Sequence, residues 1–172
     1  MPGVGSGFPR GGTGRRERSR LWRLEQIKDR LAGCQCLLIE NIALGSQEGR
    51  SELIVGSNNT VGHVRDQNES VGTKECQIPV QVSTGDNVCA RLGLTPNVLK
   101  IDVEGFEEEV LTGLQQTLAS PRVRALLIEV HFEQLECRGQ RLAPLRIERH
   151  LKDRNFDVRW VDRSHLFADR RA

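Results

Sequence analysis

The sequence predicts an α/β protein: an open, mainly parallel sheet with helices on both faces, closed at its C-terminal end by an antiparallel strand pair. Three observations carry this expectation. Apolar runs that read as buried strands, "NVLKIDV" (97–103) and "VRALLIEVHF" (123–132), alternate with segments whose apolar residues recur at helical spacing. That alternation builds strand–helix–strand units, which cover a parallel sheet on both faces. Near the end, "FDVRWV" (156–161) and "SHLFADR" (164–170) are two strand-like runs two residues apart, close enough to pair antiparallel.

Taken in order, residues 1–20 come first. They hold six Gly, two Pro and five Arg with almost nothing to bury, so they are expected to be a disordered leader to a domain spanning 21–172. Leu21, Leu24, Ile27 and Leu31 recur at helical spacing and stop at Gly33, which predicts an amphipathic helix. "CLLIENIAL" (36–44) reads as a strand. Residues 45–76, rich in Gly, Ser, Asn and Glu, read as a long loop with one short strand at "SELIV" (51–55). "IPVQV" (78–82) alternates as a strand does, and "DNVCARLGL" (86–94) reads as a helix with Asp86 as N-cap and Gly93 at its end. After the strand at 97–103, "FEEEVLTGLQQTLAS" (106–120) reads as a single helix with Phe106, Val110, Leu111, Leu114 and Leu118 on one stripe. "APLRIERHLKDRN" (143–155) is a further helix with Pro144 in its first turn.

Composition narrows the function classes. The formal charge is +2, but the first twenty residues contribute five Arg against one Glu, so the remainder carries −2 and offers no nucleic-acid surface. No run of about 18 apolar residues exists for a membrane helix, and the leader lacks the apolar core of a secretory signal. A cytoplasmic protein without a membrane partner is expected. The five Cys (34, 36, 76, 89 and 137) and four His (63, 131, 150 and 165) lack zinc-site spacing, so reduced cysteines and no metal centre are expected.

The chemistry gathers in "VLKIDVEGFEEE", which places five carboxylates within eight positions, 102–109, after a buried run. In open α/β sheets ligands sit beyond the carboxyl ends of the strands. Asp102 and Glu104 fall at such an end, and Gly105 lets the backbone turn sharply there. Glu107, Glu108 and Glu109 read as first-turn acids favoured by the helix dipole. The neighbouring strand ends in "IEVH", which puts Glu129 and His131 at the same edge with His131 a candidate base, and Lys100 is placed to pair with a nearby acid. A hard cation on Asp102, Glu104 and one further acid is a weaker alternative, because no spacing here is diagnostic.

These residues also resemble a known family. "NVLKIDVEGFEEEVLTGL", with "NIALGSQEG" upstream and "LLIEVHF" and "WVDRSHLFADR" downstream, is similar to the FkbM family of S-adenosylmethionine-dependent methyltransferases over roughly residues 24–171. The resemblance implies a class I methyltransferase (Rossmann-like) sheet, S-adenosylmethionine as cofactor, and methyl transfer to a hydroxyl oxygen of a small-molecule or glycan acceptor. It further implies catalytic roles for Asp102, Glu104 and His131 and cofactor contacts from Asn41, Ala43 and Asp102. In that fold the segments 36–44, 97–103, 123–132 and the final pair correspond to strands three to seven. Strands one and two, which carry the glycine loop and the ribose-binding acid, find no counterpart, since "GVGSGFPRGGTG" follows no strand. The first reading is therefore a methyltransferase with Asp102 and Glu104 lining its site and His131 as base, the alternative being a truncated, non-catalytic remnant or interaction module that binds no cofactor; the two missing strands lead us to expect that the chain as written is inactive.

Overall fold

The computed structural model describes residues 37–55, 62–65 and 76–170. The expected leader, the helix at 21–32, Cys34, Cys36 and the question of two missing strands all lie outside the described residues. Of a first unit, residues 1–40, only 37–40 are described, and they belong to no helix or strand. The second unit, from Asn41 onward, contains every element below.

Two four-stranded sheets form within it, where the sequence led us to expect one. The first comprises β1 (Ala43–Leu44), β2 (Gly49–Val55), β3 (Gly62–Val64) and β4 (Cys76–Ser83), in the order β1-β4-β2-β3. Expectation and structure part here: "CLLIENIAL" supplies only the two-residue β1 among the described residues, and the segment 45–76 supplies the expected strand at 51–55, lengthened to β2, and β3 besides. The reason is ladder length. β2 pairs antiparallel with β4 over seven residues, Gly49↔Val82 to Val55↔Cys76, whereas β1 reaches β4 only at Ala43↔Val82 and Leu44↔Ser83.

The second sheet comprises β5 (Val98–Ile101), β6 (Ala125–Glu129), β7 (Phe156–Trp160) and β8 (His165–Arg170), in the order β5-β6-β8-β7. β5 and β6 are parallel, β8 is antiparallel to β6, and β7 and β8 form the expected antiparallel pair. Alternate residues of β6 and β8, Leu126, Ile128, Leu166 and Ala168, are wholly buried. They join Val110, Leu111, Leu118, Ile147 and Leu151 in one core. Helix α5 is Ala143–Lys152, with its proline in the first turn as expected.

Helix α1 (Gly85–Leu92) is capped two residues earlier than the sequence indicated. Thr84, not Asp86, is its N-cap, accepting the Asn87 N–H at 3.2 Å, and Gly93 closes it in the left-handed conformation at φ 63°. Asp86 works across the fold instead. Its two oxygens accept the N–H groups of Gln116 and Thr117 at 2.8 and 2.7 Å, and its own N–H donates to the Gly113 carbonyl at 2.9 Å. These bonds draw the Gly113 carbonyl out of the helical ladder, so the single helix expected at 106–120 is two, α2 (Glu107–Thr112) and α3 (Gln115–Ala119). Replacing Thr84 with Ala removes one helix cap and should lower stability by about 1 kcal/mol. Urea unfolding checks this, and an unchanged midpoint would contradict the capping role.

Candidate functional site

Parallel pairing fixes where the site lies. Ile101 is in register with Ile128, so β5 and β6 end level and the residues beyond them share one edge of the sheet. Asp102 follows β5 directly. His131 lies just past β6 and leads into α4 (Phe132–Cys137), a helix of six residues that the sequence reading missed, having taken Phe132 as the end of the strand. Between Asp102 and α2 the chain turns through Glu104 at φ 52° and Gly105 at φ 91°. The second is forced by crowding as well as by conformation: a Cβ on Gly105 would stand 2.8 Å from the Gln134 Cβ. Glu104 has no such licence, and a left-handed non-glycine residue costs of order 1–3 kcal/mol where it occurs at a site.

That turn aims the acids at one imidazole. His131 Nε2 lies 3.3 Å from Glu104 Oε2 and 3.7 Å from Asp102 Oδ1, and Nδ1 lies 2.8 Å from Glu107 Oε1. The structure thus brings together the three residues assigned to catalysis from the sequence. Their ligating atoms all fall within 4.8 Å of one another, which is also the geometry of a small cation site. Asn41 and Ala43 sit elsewhere: Ala43 opens β1 in the other sheet, Asn41 is exposed just before it, and no hydrogen bond or ion pair joins either to Asp102.

The edge continues as a chain of charges. Lys100 Nζ is 2.5 Å from Asp102 Oδ2 and 3.8 Å from Glu129, as the alternation of Lys100 with Asp102 led us to expect. The hydrogen bond to Asp102 raises the Lys100 pKa. Glu129 does not face His131. It stands 3.5 Å from His165 Nε2, and His165 in turn reaches Asp162, whose carboxyl is pulled down to about 2, chiefly by the N–H groups of Ser164 and His165.

The three consecutive glutamates are not the solvated helix-dipole acids the sequence indicated. Each has a partner. Glu107 is completely buried and holds His131, Glu108 grips the Arg146 guanidinium with both oxygens at 2.6 Å, and Glu109 binds Arg138. Arg138 also donates to the Gly105 carbonyl and lies over the Phe106 ring at 3.7 Å, so it clamps the turn from the far side. A helix dipole favours acids at these positions in general, but only the fold reveals the histidine and arginines that follow some thirty residues later.

Burial, the largest single influence, pulls the His131 pKa down; the hydrogen bond to Glu107 and the charges of Glu104, Glu107 and Asp102 together outweigh it, and the net shift is upward. The folded value therefore exceeds the unfolded one of about 6.5. Protonated His131 stabilises the fold fully below that unfolded value, and the contribution is lost as pH rises through the folded one. Replacing His131 with Gln should accordingly destabilise the protein more at about pH 5.5 than at about pH 9. Urea midpoints at the two pH values check it, and an equal loss at both would count against the ion-pair network.

Beside the Gly105 turn lies a cleft of about 430 Å³ lined by Leu44 to Ser51, Val64, Arg65, Val82, Phe106, Glu109 and Arg138. It does not include Asp102, Glu104 or His131. The two features meet at the turn, where Phe106 and Arg138 back Gly105.

The family model of the methyltransferase FkbM domain matches residues 15–158, most of the chain and all of the site. No curated protein and no solved structure matches the chain. Among the described residues no helix is long and apolar enough to cross a membrane.

Proposed function

From the premise that this chain belongs to the FkbM methyltransferase domain family, we propose that it transfers a methyl group from S-adenosylmethionine to a hydroxyl oxygen of a small-molecule or glycan acceptor. One observation carries the reading beyond family membership: Asp102, Glu104 and His131 converge at the level ends of β5 and β6. Methyl transfer is an in-line displacement at carbon, so the protein must align the acceptor oxygen with the methyl and take up its proton. In this reading His131 Nε2 accepts that proton, and Asp102 and Glu104, at 3.7 and 3.3 Å, stabilise the imidazolium that forms.

S-adenosylmethionine supplies an electrophilic methyl when bound. We assign its contacts to Asn41, Ala43 and Asp102: Ala43 adjoins Leu44 at the start of the cleft's lining, and Asp102 lies outside that lining, on the acid-cluster side of the Gly105 turn; a cavity of about 430 Å³ falls within the 300–1,000 Å³ range of small-ligand sites. The cleft and the acid cluster flank one turn, so cofactor and acceptor can meet there without either filling the other's place.

The test is transfer of labelled methyl from S-adenosylmethionine to a panel of hydroxylated small molecules and sugars. Asp102→Asn should cost far more turnover than Glu108→Gln, because Asp102 faces His131 while Glu108 is committed to Arg146. Equal losses would remove Asp102 from the site. No transfer by the folded chain to any acceptor would favour the non-catalytic module.

A further inference from the structure

We propose that Glu107 is a positioning residue for methyl transfer: from within the core it fixes which nitrogen of His131 carries the proton and how strongly the other attracts one. The inference rests on the reading of His131 as the group that accepts the hydroxyl proton. Glu107 opens α2 as its first residue and is 0% exposed, in a family of side chains that seldom enter a core without a partner.

The hydrogen-bond inventory assigns the tautomer. Glu107 Oε1 accepts the Gly105 N–H at 2.9 Å; accepting likewise in its 2.8 Å contact with the imidazole, it favours the proton on Nδ1. Glu107 Oε2 has no hydrogen-bond partner among the described residues, so the side chain reaches the imidazole through Oε1 alone. With Nδ1 protonated, the Nε2 lone pair is directed toward Asp102 and Glu104, the open side of the cluster, where Asp102 is 42% exposed. A base aimed the other way would face a buried wall.

The same contact sets basicity. A buried acid whose hydrogen-bond partners are the Gly105 N–H and the imidazole alone has no cation beside it other than the protonated ring, so Glu107 favours that ring and strengthens Nε2 as a base. The groups facing His131 are Asp102 and Glu104 from the turn after β5 and Glu107 from α2, with Lys100 and Glu129 one contact further along the edge. Of these acids Glu107 alone contacts Nδ1, and at 2.8 Å it is closer to the ring than Glu104 at 3.3 Å or Asp102 at 3.7 Å is to Nε2, so it favours the proton on Nδ1 over the competing form.

The experiment is nitrogen-resolved NMR of His131 in the full chain, which requires neither acceptor nor turnover. In the wild-type protein, above the titration midpoint, His131 should be in the Nδ1–H form; finding the Nε2–H form would overturn the proposal without any variant. Glu107→Gln keeps an accepting oxygen and removes the charge, so the tautomer should persist while the midpoint moves to lower pH. Glu107→Val removes both, and the tautomer should shift toward Nε2–H as well. Folded variants with the wild-type tautomer and midpoint would contradict a positioning role. In transfer assays the acid limb of the Glu107→Gln pH profile should move to lower pH, a change that loss of packing alone does not produce. A protein that shows the NMR behaviour but binds no cofactor would sink the methyl-transfer reading and leave the role of Glu107 on His131 standing.

Discussion

Replacing His131 with Ala is expected to slow methyl transfer by about 10²–10⁴-fold, the usual contribution of a positioned general base. The loss should appear mainly in turnover, because the imidazole meets the acceptor's proton rather than the body of either ligand. Wild-type activity should rise with pH through a value above the ordinary imidazole pKa of about 6.5, since the net effect of Glu107, Glu104 and Asp102 is to hold the ring protonated. The alanine variant should lack that limb, and added imidazole should restore part of the rate. Activity within about twofold of wild type, from a variant of unchanged fold, would mean that the proton leaves by another route.

The second large effect is on the fold. A Cβ on Gly113 would lie 2.1 Å from the carbonyl oxygen of Gly45 and 3.4 Å from the Thr84 Cα. The obstacle is backbone, which cannot rotate aside as a side chain could. Gly113 is also where the Asp86 N–H captures a carbonyl and where α2 gives way to α3, so displacement there disturbs α1, both helices and the start of the first sheet together. Gly113→Ala should therefore cost about 3 kcal/mol, the upper end of the ordinary range for overpacking and a large part of a typical domain's stability. Gly49→Ala, where the added Cβ meets nothing within 4 Å, is the control and should change stability by no more than about 0.5 kcal/mol. Equal denaturation midpoints for the two variants would contradict the packing account.

The strand-end cluster was legible because two general features placed it: an apolar run followed by alternating acids, and a second strand running to a histidine two positions after a glutamate; the first run is not the buried strand expected, since β5 buries Ile101 and leaves Val98 66% exposed at the sheet's edge. Parallel pairing then needed only to bring β5 and β6 level. Glu107, Glu108 and Glu109 were not legible as individuals. All three satisfy the same local rule for a first helical turn, and what separates them, one imidazole and two guanidiniums, arrives from β6, α4 and α5 through contacts that no local pattern contains. Asp86 was misread for a related reason. Its residue type suits the cap of its own helix, yet Thr84 stands two positions earlier to take that role, which leaves Asp86 free for Gln116 and Thr117. The single sheet became two because the ladder between Gly49–Val55 and Cys76–Ser83 depends on pairing across some twenty residues of polar sequence that reads locally as loop.

Methyl transfer by this chain depends first on cofactor recognition. Calorimetric titration of the folded chain with S-adenosylhomocysteine, which presents the cofactor's adenosine and amino-acid groups without the reactive methyl, should give saturable binding in the micromolar range, weakened by Asp102→Asn and unaffected by Glu108→Gln. A chain that unfolds cooperatively, shows His131 within its network of acids, and takes up no heat from S-adenosylhomocysteine at millimolar concentration would contradict it.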